Sequence, residues 1–178
     1  MMKKWGIRVL IGIAVAIGLF GGFYFYQQQK EAKITTFEQC QKAGYPTLES
    51  YPAQCRLPSG KSFTQNIGNA LDMQSEVLVT DPSPNQKTTA PLLIRGKARG
   101  SWYFEGILSA ELFDQNQKSL GAANLQANGE WMTEEFVPFE GELNFTPPQG
   151  STGTLILKNA NPSGLPENEK KLLIPLSF

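Results

Sequence analysis

Histidine is absent from the 178-residue chain, and with it go the His-based catalytic triads and His-ligated metal sites. No G-x-S-x-G, P-loop or Rossmann glycine pattern occurs. Serines such as Ser101, Ser109 and Ser163 coexist with lysines, but nothing in their context singles out a nucleophile. The Asp and Asn residues do not fall at the spacing of a calcium loop. Charge of one sign is also lacking, with 16 basic against 16 acidic residues; a nucleic-acid binder would need a basic patch. There are only two cysteines, Cys40 and Cys55, and they form no CxxC. These absences predict a non-enzyme with no metal, no cofactor and no nucleic-acid partner.

What is present starts with the uncharged run Val9–Tyr26, which follows Lys3, Lys4 and Arg8. As a helix it would be about 27 Å long, close to the hydrocarbon thickness of a bilayer. The basic residues before it favour a cytoplasmic N-terminus. A cleaved signal peptide has a similar layout. Against that alternative, the run ends in the aromatic group Phe23, Tyr24, Phe25 and Tyr26, which suits a membrane interface, and it shows no small-residue cleavage site. A lipoprotein would need a cysteine before Cys40. The expectation is a single-pass signal anchor over 9–26, a cytoplasmic tail over 1–8 and an extracytoplasmic remainder. Without its three N-terminal cations the chain has thirteen basic against sixteen acidic residues.

After a juxtamembrane linker (27–35), residues 36–65 hold both cysteines in a stretch with few large apolar side chains and several turn formers. So small a piece cannot hold itself together by burial alone. An oxidising compartment lets Cys40 and Cys55 pair. A structural disulfide is therefore expected, in preference to a redox or metal-binding pair. Residues 66–74 have little periodicity and read as a connector.

From residue 75 to 178 the chain breaks into seven β-like runs: SEVLVT, LLIRGKA, GILSAELFD, KSLGAANL, GELNFT, TGTLILK and LLIPLSF. Leu155 and Leu157 alternate with Thr154, Ile156 and Lys158, and Leu108, Ala110 and Leu112 alternate with Ile107, Ser109, Glu111 and Phe113, as in half-buried strands. Asp114–Lys118 is a polar hairpin candidate and Asn128-Gly129 a turn signal. With no long amphipathic helix after the anchor, the fold class is all-β, an antiparallel sandwich of about seven strands.

Three dense segments stand out: ARGSWYFE (Ala98–Glu105), GEWMTEEFVPF (Gly129–Phe139) and NPSGLPEN (Asn161–Asn168), followed by the strand LLIPLSF. With the earlier PLLIRGKARG, they make residues 76–178 resemble the immunoglobulin-like domain of bacterial spore germination proteins, the Gmad type. The resemblance implies an Ig-like sandwich in a secreted or membrane-anchored protein and brings no defined biochemical activity. The two-cysteine segment is more loosely similar to short cysteine-pair segments that precede such domains in other bacterial envelope proteins.

The same segments supply the candidate binding residues Arg99, Trp102, Glu105, Trp131, Glu134, Asn161 and Ser163. Each has two readings. Trp102 and Trp131 either close the core, or Trp102, Tyr103 or Trp131 lies exposed as an aromatic platform for a ligand such as a sugar. Arg99 either pairs with Glu105 or a glutamate of the second segment and fixes the loops, or the carboxylates Glu105, Glu134 and Glu135 form a cluster that binds a cation or supplies acid and base groups. Asn161 and Ser163 sit in a constrained loop that either presents a surface or pins the last strand. The functional expectation is non-catalytic recognition or scaffolding in the cell envelope, with an envelope protein or cell-wall glycan as partner. A carbohydrate- or peptidoglycan-binding module is the alternative, and an envelope hydrolase using acidic residues is the weakest reading.

Overall fold

The computed structural model describes residues 21, 22, 25–148, 150 and 152–178. Most of the expected anchor, and all of the expected tail, lie outside these residues. Among the described residues no helix is long and apolar enough to cross a membrane. Residues 25–32 are helical, so the helix enters the stretch expected as a linker. Its sequence there is rich in Gln, Lys, Glu and Ala, all good helix formers.

The chain divides into two units, Met1–Gln65 and Asn66–Phe178. In the smaller, helix α1 (Phe37–Lys42) starts at Thr36, whose side chain accepts a hydrogen bond from the Gln39 N–H at 3.2 Å. The helix ends where Gly44 takes a positive φ of 80°. Strands β1 (Thr47–Leu48), β2 (Gln54–Arg56) and β3 (Ser62–Thr64) form a small antiparallel sheet with β2 in the middle. Cys40 on α1 and Cys55 on β2 are joined in a fully buried disulfide, as expected from the sequence. Ile34, Phe37 and Leu57 complete a core of only a few side chains.

The larger unit is one seven-stranded antiparallel sheet in the order β10-β9-β6-β7-β8-β5-β4. The strands are β4 (Val77–Asp81), β5 (Leu92–Arg99), β6 (Ile107–Asp114), β7 (Ser119–Ala127), β8 (Phe136–Leu143), β9 (Thr152–Lys158) and β10 (Lys171–Ser177). Alternate residues point inward, among them Leu92 and Ile94, Leu108 and Leu112, Leu155 and Leu157, and Leu172, Ile174 and Leu176. They build a single core around Trp102 and Phe139. The sheet folds over at the β7–β8 seam, where only two residue pairs are in register, Gln126 with Glu140 and Ala127 with Phe139. Glycines permit that corner: a Cβ on Gly121 would come within 2.6 Å of the Asn144 carbonyl, and one on Gly141 within 2.7 Å of the Leu125 side chain. The result is a sandwich-like arrangement with an immunoglobulin-like strand content.

One strand lies earlier than expected. The sequence pattern places the fifth run at GELNFT, whereas β8 starts at Phe136 and includes Pro138. Proline argues against an interior strand because it lacks an N–H. Here the Pro138 carbonyl accepts from Asn128 N–H at 2.7 Å. Its ring nitrogen faces the same way, toward the sparsely bonded β7 side, so the ladder with β5 loses nothing.

Residues 66–74 do more than connect. Ile67 is buried, and the Asn69 amide donates to the Lys171 carbonyl at 2.9 Å while accepting from the Leu173 N–H at 2.8 Å. The short helix α2 (Ala70–Met73) then leads into β4. Farther along β10, Asn85 N–H donates to Pro175 O, Ser177 N–H donates to Gln86 O, and Thr88 N–H donates to Ser177 O. The outer edge of β10 is therefore covered from start to finish, and the missing N–H of Pro175 faces that edge harmlessly.

Candidate functional site

Because the strands alternate in direction, the start of β4, the end of β5, the start of β6, the end of β7, the start of β8, the end of β9 and the start of β10 share one end of the larger unit. All seven candidate residues from the sequence fall there. The chain leaves β5 through a 3-10 turn, Gly100–Trp102, against which the 131–133 backbone is tightly laid. A Cβ on Gly100 would collide with the carbonyls of Trp131 and Thr133, so glycine is what lets these two loops touch. On the other side, Ala160 N–H donates to the Trp102 carbonyl at 2.8 Å and ties in the β9–β10 loop.

Trp102 is 0% exposed. It therefore presents no ring face to a ligand, and the platform reading does not hold for it. Its indole N–H donates to Glu76 Oε2 at 3.2 Å, and Glu76 also meets the Lys170 ammonium at 2.9 Å. Lys170 first, then Trp102 and Arg99, hold the Glu76 carboxyl below its ordinary range against the opposing effect of burial. A carboxylate so held stays ionised near neutrality and is unsuited to act as a general acid. Beside it, Tyr103 is buried and donates from its hydroxyl to the Val137 carbonyl at 2.7 Å. Burial pushes its phenol up to about 12. Glu76 and Lys170 were not among the sequence candidates. Their partners lie far away in the chain, so no local spacing could have marked them.

Arg99 works as a clamp on loop backbone. Its guanidinium donates to Ser75 O at 3.0 Å and to Glu134 O at 3.1 Å, lies 4.3 Å from the Phe136 ring centre, and meets Glu135 at 3.8 Å. The pairing thus goes to the second segment and not to Glu105. Glu134 contributes its carbonyl here, while its side chain is exposed. Glu105 is exposed as well, in the two-residue turn between Phe104 and Ile107, whose N–H and C=O groups exchange two 3.0 Å bonds. Both turn residues have positive φ, 54° at Glu105 and 74° at Gly106, the geometry that matches hairpin twist. A glutamate in that region costs on the order of 1 kcal/mol. Among the described residues, Arg99 is in ion-pair contact with neither the Glu105 nor the Glu134 carboxylate.

Trp131 is half-buried against Gly106; a Cβ there would sit 3.4 Å from the indole Cδ1 and 3.1 Å from the Gln126 amide nitrogen. Asn161 and Ser163 are consumed by their own loop. Asn161 donates to Leu165 O at 2.8 Å, the Ser163 hydroxyl donates to Asn161 Oδ1 at 2.5 Å, and Asn168 donates to Ser163 Oγ at 3.0 Å. Asn159 closes the base by accepting from Lys170 N–H at 2.7 Å and donating to Asn168 O at 3.0 Å. The loop is a rigid turn that pins β10. Among the described residues, no three Cys, Asp or Glu side chains converge as a metal site would require.

Searches of curated proteins and of solved structures each return no match to the chain. A family model does match: Gmad2, the immunoglobulin-like domain of bacterial spore germination, over residues 76–164, half of the chain. That stretch runs from Glu76, the partner of Trp102, through six of the seven strands and into the Asn161–Gly164 turn, and the chain accordingly belongs to the Gmad2 family of immunoglobulin-like domains.

Proposed function

We propose that this is a membrane-anchored, extracytoplasmic protein whose immunoglobulin-like domain serves recognition or scaffolding in the bacterial envelope without catalysis. The observation that carries the reading is how the polar side chains at the loop end are spent. Arg99, Asn161, Ser163 and Glu76 all hold neighbouring loops or the core in place. A site built for chemistry would leave such groups aimed at a substrate. The uncharged run Val9–Tyr26 behind three cations supports the anchor, and the buried Cys40–Cys55 bond supports an oxidising compartment.

Protease added to intact spheroplasts should degrade the chain from residue 27 onward and spare a short N-terminal fragment. Full protection would reverse the topology and remove the reading. Chemical cross-linking in intact cells should then yield adducts with an envelope component, and a chain recovered without adducts would count against recognition.

Glycan binding is the second reading, favoured by the half-exposed Trp131 ring beside the Gln126 amide. It requires the full chain to sediment with peptidoglycan, and Trp131→Ala to abolish that sedimentation.

A further inference from the structure

The larger unit exposes four large apolar side chains among its described residues: Leu71 at 41%, Phe104 at 51%, Met132 at 74% and Leu165 at 49%. All four are at the loop end. Phe104 tips the turn before β6, Met132 the β7–β8 loop, Leu165 the β9–β10 loop, and Leu71 lies on the short helix that enters β4. Among the described residues, the loops of the opposite end, including the polar hairpin Asp114–Lys118, expose none. Scattered apolar side chains on a surface need no explanation, but their confinement to one end does.

Charge at that end is equally one-sided. Lys170 faces Glu76, Lys171 faces Glu169 and Arg99 faces Glu135. No described cation lies within salt-bridge distance of Glu105, Glu130, Glu134 or Glu167, so these carboxylates present net negative charge. Each protruding loop thus joins an apolar tip to an unpaired acid: Phe104 with Glu105, Leu165 with Glu167, and Met132 with Glu130, whose carboxylate accepts from the Met132 N–H at 3.3 Å. The tips are mounted on rigid bases, namely the two-bond turn at 104–107, the 131–133 backbone against Gly100, and the self-bonded Asn161–Asn168 loop. Presenting apolar contacts on ordered loops lowers the entropy lost on binding.

We infer that this end of the domain docks a cationic, apolar segment of a partner protein, with lysine or arginine side chains meeting the four glutamates and apolar side chains covering Phe104, Met132 and Leu165. The inference rests on the recognition reading above and names its surface and partner chemistry. Anionic lipid or an anionic wall polymer would be repelled by the same carboxylates, and the association should weaken as salt rises.

The test uses the full-length chain carrying a photoreactive phenylalanine derivative at position 132, at position 165 or, at the opposite end, at position 116. Adducts from 132 and 165 to a protein segment rich in basic and apolar residues, with none from 116, support the docking surface. Adducts to lipid, to glycan or to a second copy of this chain overturn it. Adducts from 116 alone overturn the surface while leaving recognition in place, and no adduct from any position removes both. In a defined assay, immobilised full-length protein should bind a synthetic peptide alternating Lys and Leu, and prefer it to one alternating Glu and Leu by roughly tenfold or more. The combined exposed-site substitutions Phe104→Ser, Met132→Ser and Leu165→Ser should weaken that binding about tenfold with the circular dichroism spectrum unchanged. Equal binding of the two peptides, or binding that survives the substitutions, would overturn the inference.

Discussion

The two units of this protein solve the stability problem in opposite ways. The larger has no cysteine and surrounds Trp102 and Phe139 with inward-facing side chains from all seven strands. The smaller has a three-stranded sheet of very short strands and a handful of buried side chains, two of which are the bonded cysteines themselves. Its polar groups are also less well served: among the described residues, the only buried side-chain polar atom without a partner is the Tyr45 hydroxyl, which belongs to this unit. Size explains the contrast. A small unit buries too little apolar surface to offset chain entropy and needs a covalent tie, whereas a domain of about a hundred residues does not.

Breaking the larger unit should take a core deletion. Trp102→Ala removes a fully buried indole and leaves Glu76 without one of its donors, so about 3–5 kcal/mol should be lost. Hydrogen exchange read segment by segment should show faster exchange throughout β4–β10 and unchanged exchange over residues 36–65. A loss below about 1 kcal/mol would mean the ring is not structural.

Breaking the smaller unit should take only a reductant. The disulfide closes a sequence separation of 15 residues, worth about 3 kcal/mol in the chain-entropy account. Reduction, or Cys40→Ser with Cys55→Ser, should abolish exchange protection over 36–65 and leave β4–β10 as they were. Retained protection in the reduced chain would show that the small core suffices.

A finer test concerns pH. The Glu76 carboxyl is held below its ordinary range in the folded state, so its contribution is fully present above the unfolded carboxyl's value and is lost as pH falls through the folded one. The stability gap between the parent and Glu76→Gln, about 1 kcal/mol for a partly exposed pair, should be constant at neutral pH and shrink once pH drops below about 4.3. The smaller unit should not register the substitution. A gap that does not change in acid would separate Glu76 from the Trp102 and Lys170 interaction.

How much of this could be read from the amino-acid order depends on range. Alternation in TGTLILK and ILSAELFD exposed the inward faces of β6 and β9, because strand periodicity is local. The same logic misplaced β8, since whether Pro138 is tolerated depends on which neighbour its missing N–H faces. The disulfide followed from two cysteines on the same side of an apolar run. At the loop end, the three dense segments come together, and each had offered a structural reading beside the binding one. Trp102 turned out to be core, Asn161 and Ser163 to be loop struts, and Arg99 to bond carbonyls. The partner of the Trp102 indole, Glu76, sits 26 residues before it and had no local signature. The apolar tips Phe104, Met132 and Leu165 went unmarked because exposure is a property of packing.

The covered edge of β10 limits how copies of this domain could add to one another. Strand-to-strand growth needs two free edges per molecule, one to accept and one to offer. Here the segment 66–69 and the residues around Asn85–Thr88 occupy one of them. Only β4 remains at the margin of the sheet, and joining β4 to β4 uses up both copies. Any such association closes at a pair and cannot run on into a fibre.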